Sequence, residues 1–135
     1  IGSRTAERIK CEIGSAIELD TELELSVKGR DLVSGIPKLR TVSSVNVREA
    51  LTDNLEQISA AVLRALERTP PELGADVLER GIMMTGGGAM LEGIDKMLRD
   101  RVELPVYVAE DPLTAVVRGT GEVLENLEDY KRVLT

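Results

Sequence analysis

The sequence predicts an α/β fold, and three observations carry that prediction. Helical patterns alternate in the second half with two short apolar runs, at 82–85 and 105–108, and this alternation is typical of parallel strand pairing. The chain has 135 residues, 42% of them hydrophobic, which is enough for one domain with a real core. Two Tyr and no Phe or Trp mean that this core must be aliphatic.

The first elements are a helix and a hairpin. Ala6, Ile9 and Ile13 fall on one face of a helix over 4–14, and Gly14 can end it. Alternating apolar residues from Leu23 predict a half-buried strand, and residues 39–43 are expected to return beside it.

The longest helix is predicted from Ser43 or Ser44 to about residue 68, because its apolar residues repeat at three and four positions. Pro70 ends it, and Pro71 can open the next helix, over 71–80.

The second half is predicted to contain two strands and two helices. The run at 82–85 lacks alternation, which favours a strand buried on both faces. A helix over 89–100 is expected to start directly after the glycines. The strand at 105–108 follows, and a last helix runs over 112–127, with Asp111 as its N-cap. Gly119 and Gly121 weaken that helix, which predicts a close crossing by another element.

Composition excludes several classes of function. A net charge of −7 argues against nucleic acid as a partner. The absence of histidine excludes a Ser-His or Cys-His triad and argues against a zinc site. A single cysteine, Cys11, allows no internal disulfide, and no signal peptide or membrane-spanning run of about 20 apolar residues is present, so a cytoplasmic location is expected. Because residue 1 is Ile, the chain is expected to be a fragment or a processed piece.

A triple-glycine turn is the main candidate site. Gly86, Gly87 and Gly88 follow an apolar strand, where bare backbone N–H groups can approach an anion or a nucleotide. The turn is not a P-loop, since no lysine follows before Lys96, and it is not a dinucleotide fingerprint, since Leu91 stands where the third glycine belongs. Glycine that merely avoids clashes in a tight turn is the alternative, and three in succession favour ligand contact.

A second candidate lies on the first helix. Glu7 and Lys10 share one face and can contact ribose hydroxyls and a base or phosphate, but spacing alone favours a solvated ion pair. Cys11 is expected to be a buried or half-buried, unreactive thiol. The alternating carboxylates from Glu18 to Glu24 are expected to form the wet face of a strand.

Five stretches, in order along nearly the whole chain, carry a recognisable set of motifs: 1–16 (IGSRTAERIKCEIGSA), 28–37 (KGRDLVSGIP), 69–73 (TPPEL), 85–89 (TGGGA) and 108–114 (VAEDPLT). On these motifs the chain resembles the MreB family, the bacterial actin homologues that determine rod shape. The glycine motif alone fits the wider group of actins, DnaK-type chaperones and sugar kinases. The helix motif, the double proline and the 109–114 segment point to the MreB family.

The resemblance implies an actin-like ATPase (ribonuclease H-like) fold, of which this chain is the second half only. Residues 1–68 then form an outer subdomain that covers the nucleotide. Residues 69–111 form part of the inner α/β subdomain with the glycine turn, and residues 112–135 pack toward the missing N-terminal half.

The resemblance also implies an adenosine clamp with two sides. Its nucleotide-contacting positions are Glu7, Arg8, Ile9 and Lys10 on the helix, and Gly86, Gly87, Gly88, Ala89 and Met90 at the turn. The cofactor is ATP with Mg²⁺ in the complete protein, a slow ATPase. No catalytic or metal-binding residue is assigned to this chain, which is not expected to be catalytic alone.

The implied function is polymerisation into cytoskeletal filaments that control rod shape and cell-wall synthesis. The implied partners are further copies joined head to tail, the missing N-terminal half, and membrane proteins of the elongation machinery, with filaments at the membrane. The alternative is a stand-alone interaction module that has an actin-like subdomain fold and binds no nucleotide.

Overall fold

The computed structural model describes residues 1–131 and confirms an α/β architecture. Its elements, in chain order, are α1 (Ser3–Ile13), β1 (Glu24–Arg30), β2 (Pro37–Ser43), α2 (Ser44–Glu67), α3 (Pro71–Arg80), β3 (Ile82–Met84), a 3-10 turn (Gly87–Met90), α4 (Ile94–Val102), β4 (Val106–Val108), α5 (Ala115–Glu125) and α6 (Leu127–Tyr130).

The predicted hairpin is present as an antiparallel pair that runs from Glu24 opposite Ser43 to Arg30 opposite Pro37. Both strands extend further toward the tip than predicted, so the connecting loop is only 31–36. One face of the hairpin packs on α1, where Ile9, Ile13 and Val27 are buried together. We call this group the hairpin core.

The long helix α2 begins and ends where the sequence predicts. Ser43 is its N-cap: the Ser43 hydroxyl accepts from the Asn46 N–H, and the Asn46 side chain accepts from the Ser43 N–H. This capping box satisfies two backbone donors reciprocally. Pro71 opens α3 as its first residue, as predicted.

The two short strands pair in parallel, as predicted, with Ile82 opposite Val106 and Met84 opposite Val108. A second core lies beside them, and we call it the sheet core. Its buried members are Leu55, Ile94, Leu98 and Val106. The predicted burial of β3 on both faces is wrong, because Met83 is 61% exposed. Within residues 1–131 the face of the sheet that carries Met83 is open, and its cross-strand neighbour Tyr107 is 50% exposed.

The helix predicted to start at the glycines is also wrong, since α4 begins only at Ile94. The intervening residues are held by a distant segment: Ser15 pairs with Glu92 in a parallel bridge, and the Ala16 N–H donates to the Glu92 carbonyl at 2.7 Å. Residues paired in this way cannot also continue a helix, so the helix start moves beyond them.

The last predicted helix is divided and shorter. Residues 111–114 form a turn, so Thr114 and not Asp111 occupies the N-cap position of α5. Three of its apolar side chains, those of Val116, Val117 and Leu124, are more than 60% exposed. A Cβ added at Gly119 or Gly121 meets nothing within 4 Å among the described residues, so no close crossing is present there.

The three subdomain boundaries stay predictions, and residues 132–135 of the third segment lie outside the described residues. Helix α2 contributes Val47 to the hairpin core and Leu51, Leu55 and Val62 to the sheet core, so it joins the two cores. No helix within the described part of the chain is long and apolar enough to cross a membrane.

Candidate functional site

The triple-glycine turn leaves strand β3 at its carboxyl end. Gly86 has φ 81° and ψ 175°, a conformation that residues with a Cβ rarely adopt. Its N–H donates to the Pro112 carbonyl at 2.6 Å, which ties the turn to the segment before α5. At Gly86, therefore, backbone conformation alone accounts for glycine.

Gly87 and Gly88 are different. Neither has a positive φ, and both are exposed. A Cβ added at Gly88 meets nothing within 4 Å, and one added at Gly87 meets only the Leu113 side chain, at an ordinary 3.6 Å. Within residues 1–131 neither N–H has a hydrogen-bond acceptor. Backbone conformation therefore explains glycine at position 86, whereas neither conformation nor clash avoidance among the described residues explains Gly87 or Gly88.

The positive end of an α-helix, however, does not lie at this turn. The turn is a four-residue 3-10 segment, and the α4 N-cap is Gly93, seven residues after Gly86. The macrodipole effect falls off within one turn. The turn can therefore bind an anion through its free N–H groups only. This is weaker than the attraction expected from the sequence, which places the positive end of a helix at the turn.

The other predicted residues of the turn divide by exposure. Ala89 is 4% exposed and its N–H donates to the Gly86 carbonyl at 3.2 Å, so its side chain belongs to the interior. Met90 is 59% exposed and lies on the surface.

On α1 the predicted pair is formed, with Lys10 Nζ 2.8 Å from Glu7 Oε1 and both side chains substantially exposed. The hydrogen bond from Lys10, with its positive charge, lowers the pKa of Glu7, and the hydrogen bond to Glu7 raises the pKa of Lys10. At neutral pH Glu7 is thus an acceptor and Lys10 a donor, both reachable from solvent.

The remaining α1 residues point elsewhere or pair locally. Ile9 is 4% exposed in the hairpin core, so its side chain does not face a ligand. Arg8 lies 3.9 Å from Glu12 on the exposed surface. The expected burial of Cys11 is wrong, because this residue is exposed, with its Sγ 3.8 Å from Glu7 Oε1; its expected lack of reactivity stays a prediction.

The segment after α1 packs against the segment after the glycine turn, and we call this contact between residues 15–17 and residues 91–93 the joint. The chain leaves α1 at Gly14 and passes directly beside residues 91–93, which follow the glycine turn, through the Ser15–Glu92 bridge. Gly93 has φ 73°, and a Cβ there would overlap the Ile17 side chain. The end of the α1 segment and the end of the glycine turn are therefore packed together, although they are more than 70 residues apart in sequence.

An ion pair at this joint was not expected from the sequence. Only Glu24 of the acidic run lies in a strand; Glu22 instead pairs with Arg48 at 2.7 Å, within reach of the buried Ser44 hydroxyl. Hydrogen bonds from Arg48 and Ser44 lower the pKa of Glu22 to about 2. The partners are 26 positions apart, and no local pattern connects them.

Two open cavities lie beside the hairpin, and both are lined by Ile1, Gly29 and Arg30. Neither of them includes a residue of the glycine turn. No group of three or more Cys, Asp or Glu side chains that could hold a metal ion occurs within residues 1–131.

Comparison with known proteins identifies the family. A model of the MreB/Mbl protein family matches residues 1–132. The chain is 46% identical over 128 residues to the cell shape-determining protein Mbl of Bacillus subtilis, covering 95% of this chain and 38% of that protein. It is 50% identical over 128 residues to the cell shape-determining protein MreB of Escherichia coli, covering 95% of this chain and 37% of that protein.

Solved structures agree. MreB5 of Spiroplasma citri bound to ADP superposes with a TM-score of 0.90 at 38% identity, over 98% of this chain and 40% of that one. The same protein bound to AMPPNP superposes with a TM-score of 0.89 at 37% identity, over 100% of this chain and 40% of that one.

The chain belongs to the MreB/Mbl family of actin-like, cell shape-determining proteins, which confirms the resemblance and the actin-like fold. It spans less than two-fifths of the length of the curated relatives it matches. These shares give the length of the matched stretch and not its position, so the expected correspondence to the second half stays a prediction.

Proposed function

We propose that this member of the MreB/Mbl family contributes part of an ATP site to an actin-like protein that assembles into filaments. The observation that carries the proposal is the pair Gly87 and Gly88, whose glycine identity has no explanation within the described chain. Small residues with free N–H groups suit a surface that a nucleotide approaches closely. The ADP and AMPPNP bound by MreB5 support nucleotide as that ligand.

Each proposed contact has a chemical role. The N–H groups of Gly87 and Gly88 donate to the nucleotide, as free backbone donors do at phosphate sites. Ionised Glu7 accepts from the ribose hydroxyls, and protonated Lys10 donates to the base or a phosphate. Ile9 and Ala89, with buried side chains, position their neighbours and do not themselves touch the ligand.

ATP hydrolysis belongs, in this proposal, to the longer protein. Phosphoryl transfer depends on positioning and on metal-assisted charge stabilisation. The described residues offer no cluster of metal ligands, so Mg²⁺ would be held by the nucleotide and by the part of the fold outside this chain. The chain alone is then a binding surface and not a catalyst.

Filament assembly is supported by the tip of the hairpin. Leu32 and Val33 are 98% and 99% exposed. The Asp31 carboxylate holds this loop by accepting from the Val33 and Ser34 N–H groups and pairing with Lys38. An ordered loop that presents two apolar side chains to water is suited to contact another subunit. A head-to-tail contact of this kind is heterologous and extends into a filament.

The tip is tested by sedimentation of the complete protein with ATP. The variant Leu32→Ser/Val33→Ser should stay in the supernatant while it still binds ATP. The control Leu78→Ser changes an equally apolar side chain that is 67% exposed on α3 and should pellet normally. Normal pelleting of the tip variant would contradict this contact. Membrane proteins of the elongation machinery, and filaments at the membrane, are proposed from the resemblance alone.

The nucleotide site is tested with Cys11, the only cysteine of the chain, which is exposed beside Glu7. We define the reconstituted protein as this chain mixed with a cysteine-free polypeptide that supplies the rest of a longer relative. Mg-ATP should slow maleimide labelling of Cys11 in the reconstituted protein, and Gly88→Val should abolish the slowing.

Two results would contradict the proposal differently. If ATP binds but Cys11 labels at an unchanged rate, the nucleotide does not lie over α1. If a folded reconstituted protein binds no ATP, the alternative of an interaction module is favoured.

A further inference from the structure

Arg48 holds three separate groups at the joint between α1 and the glycine turn. Its Nη1 donates to Ser15 Oγ at 2.9 Å and to the Ile17 carbonyl at 2.8 Å, and its Nη2 donates to Glu22 at 2.7 Å. The Arg48 side chain is 18% exposed and Ser15 is fully buried, so the bond to Ser15 is shielded from water, whereas the Glu22 side chain is 32% exposed. Charge-assisted hydrogen bonds are stronger than those between neutral groups.

Two of the three residues that Arg48 holds, Ser15 and Ile17, contact residues 91–93, which follow the glycine turn. Ser15 forms the bridge to Glu92, and Ile17 fills the space that Gly93 leaves open. Arg48 itself lies on α2 between Val47, which packs in the hairpin core, and Leu51, which packs in the sheet core. Arg48 therefore lies at the point of α2 where the helix passes from one core to the other.

We propose that Arg48 is a positioning residue that sets α1 against the glycine turn and so fixes the separation of the two sides of the nucleotide site. The inference rests on the proposed function and deepens it. Arg48 touches no ligand in this account. It acts through residues 15–17, which follow the carboxyl end of α1 and contact the segment at 91–93.

The chemistry requires arginine. Only a planar guanidinium presents donors in a fixed fork to a carboxylate, a hydroxyl and a carbonyl at once, whereas a lysine ammonium is a compact point charge. Lysine at this position is therefore expected to keep the pairing with Glu22 and to lose the simultaneous hold on Ser15 and Ile17.

The experiment measures ATP affinity of the reconstituted protein by calorimetry, beside its urea unfolding midpoint. Arg48→Lys should weaken ATP binding about tenfold, within the range by which a network residue modulates a distant site. Ser15→Ala, which removes one acceptor and keeps every charge, should weaken it less but in the same direction, and it serves where Arg48→Lys folds poorly.

Arg99→Met is the matched control. Arg99 donates to the Val106 carbonyl at 2.8 Å and pairs with Asp95 at 3.2 Å, so its loss destabilises the sheet core without touching the joint. It should lower the unfolding midpoint and leave ATP affinity unchanged, which separates positioning from general stability.

The outcomes are distinct. If the unaltered reconstituted protein binds no ATP, the proposed function itself fails. If it binds ATP and both joint variants bind equally well, the positioning role is overturned and the proposed function stands. Loss of affinity in proportion to lost stability, in Arg99→Met as in Arg48→Lys, would also overturn it.

Discussion

Three glycine-to-alanine changes separate structural glycine from functional glycine. Gly88→Ala places a methyl group where the described chain has nothing within 4 Å. Gly74→Ala does the same in the interior of α3, outside the turn, and is the matched control. Gly86→Ala forces a Cβ onto a backbone with φ 81°.

The magnitudes follow from these environments. Replacing glycine by alanine at a compatible position reduces the entropy of the unfolded chain, so Gly88→Ala and Gly74→Ala should each raise the free energy of unfolding by about 0.5–1 kcal/mol. Gly86→Ala should lower it by about 1–3 kcal/mol, because the conformation is nearly exclusive to glycine.

The assay is urea unfolding of the chain followed by far-UV circular dichroism, paired with ATP titration of the reconstituted protein. Gly88→Ala should be at least as stable as the unaltered chain and bind ATP at least tenfold more weakly, whereas Gly74→Ala should bind ATP normally. A destabilised Gly88→Ala, or one that binds ATP normally, would refute the conclusion that this glycine serves a ligand.

Three further predictions concern the cores and the joint. Leu98→Ala, at a side chain 3% exposed, should lower the free energy of unfolding by about 2–5 kcal/mol, against less than about 0.5 kcal/mol for the exposed Leu78→Ala, and equal losses would contradict the assignment of the sheet core. Glu22 has a pKa of about 2 in the folded chain against 4.5 for an ordinary glutamate, so its contribution to the free energy of unfolding is full above pH 4.5 and is lost as pH falls toward 2. Glu22→Gln should therefore make the unfolding midpoint less dependent on pH between 4.5 and 2, and an unchanged dependence would count against the ion pair. Gly93→Ala should lower the midpoint through both its positive φ and overlap with Ile17, and a thermal melt that shows no change would contradict the tight joint.

Local signals in the sequence predicted much of the fold correctly. The start of the long helix at Ser43 or Ser44 and Pro71 as the first residue of the next helix were read from neighbouring residues, and the structure has both. Alternation in 23–27 and the two short apolar runs predicted the hairpin and the parallel pair. These features depend on neighbours in sequence, which a pattern can reveal.

The errors come from long-range packing. The start of α4 moved because Glu92 pairs with Ser15, and Glu22 left its expected strand because Arg48 binds it. Met83 is exposed because the face of the two-stranded sheet that carries Met83 and its cross-strand neighbour Tyr107 is left open within the described residues. No local pattern encodes these partners.

For the candidate site, the sequence predicted the Glu7–Lys10 pair and the open glycines. It placed the glycines, however, directly before an α-helix, whereas α4 begins only at Ile94. The periodicity of α1 placed Ile9 on its apolar face, where the structure has it, but no local pattern indicated that the Ala89 side chain is interior.

The most direct test is calorimetric titration of Mg-ATP into the chain alone and into the reconstituted protein, with and without Gly87→Val. The account predicts binding in the reconstituted protein only and its loss in the variant. Absence of binding in both, with every sample folded, would contradict the account and leave the glycine turn as a structural element of an interaction module.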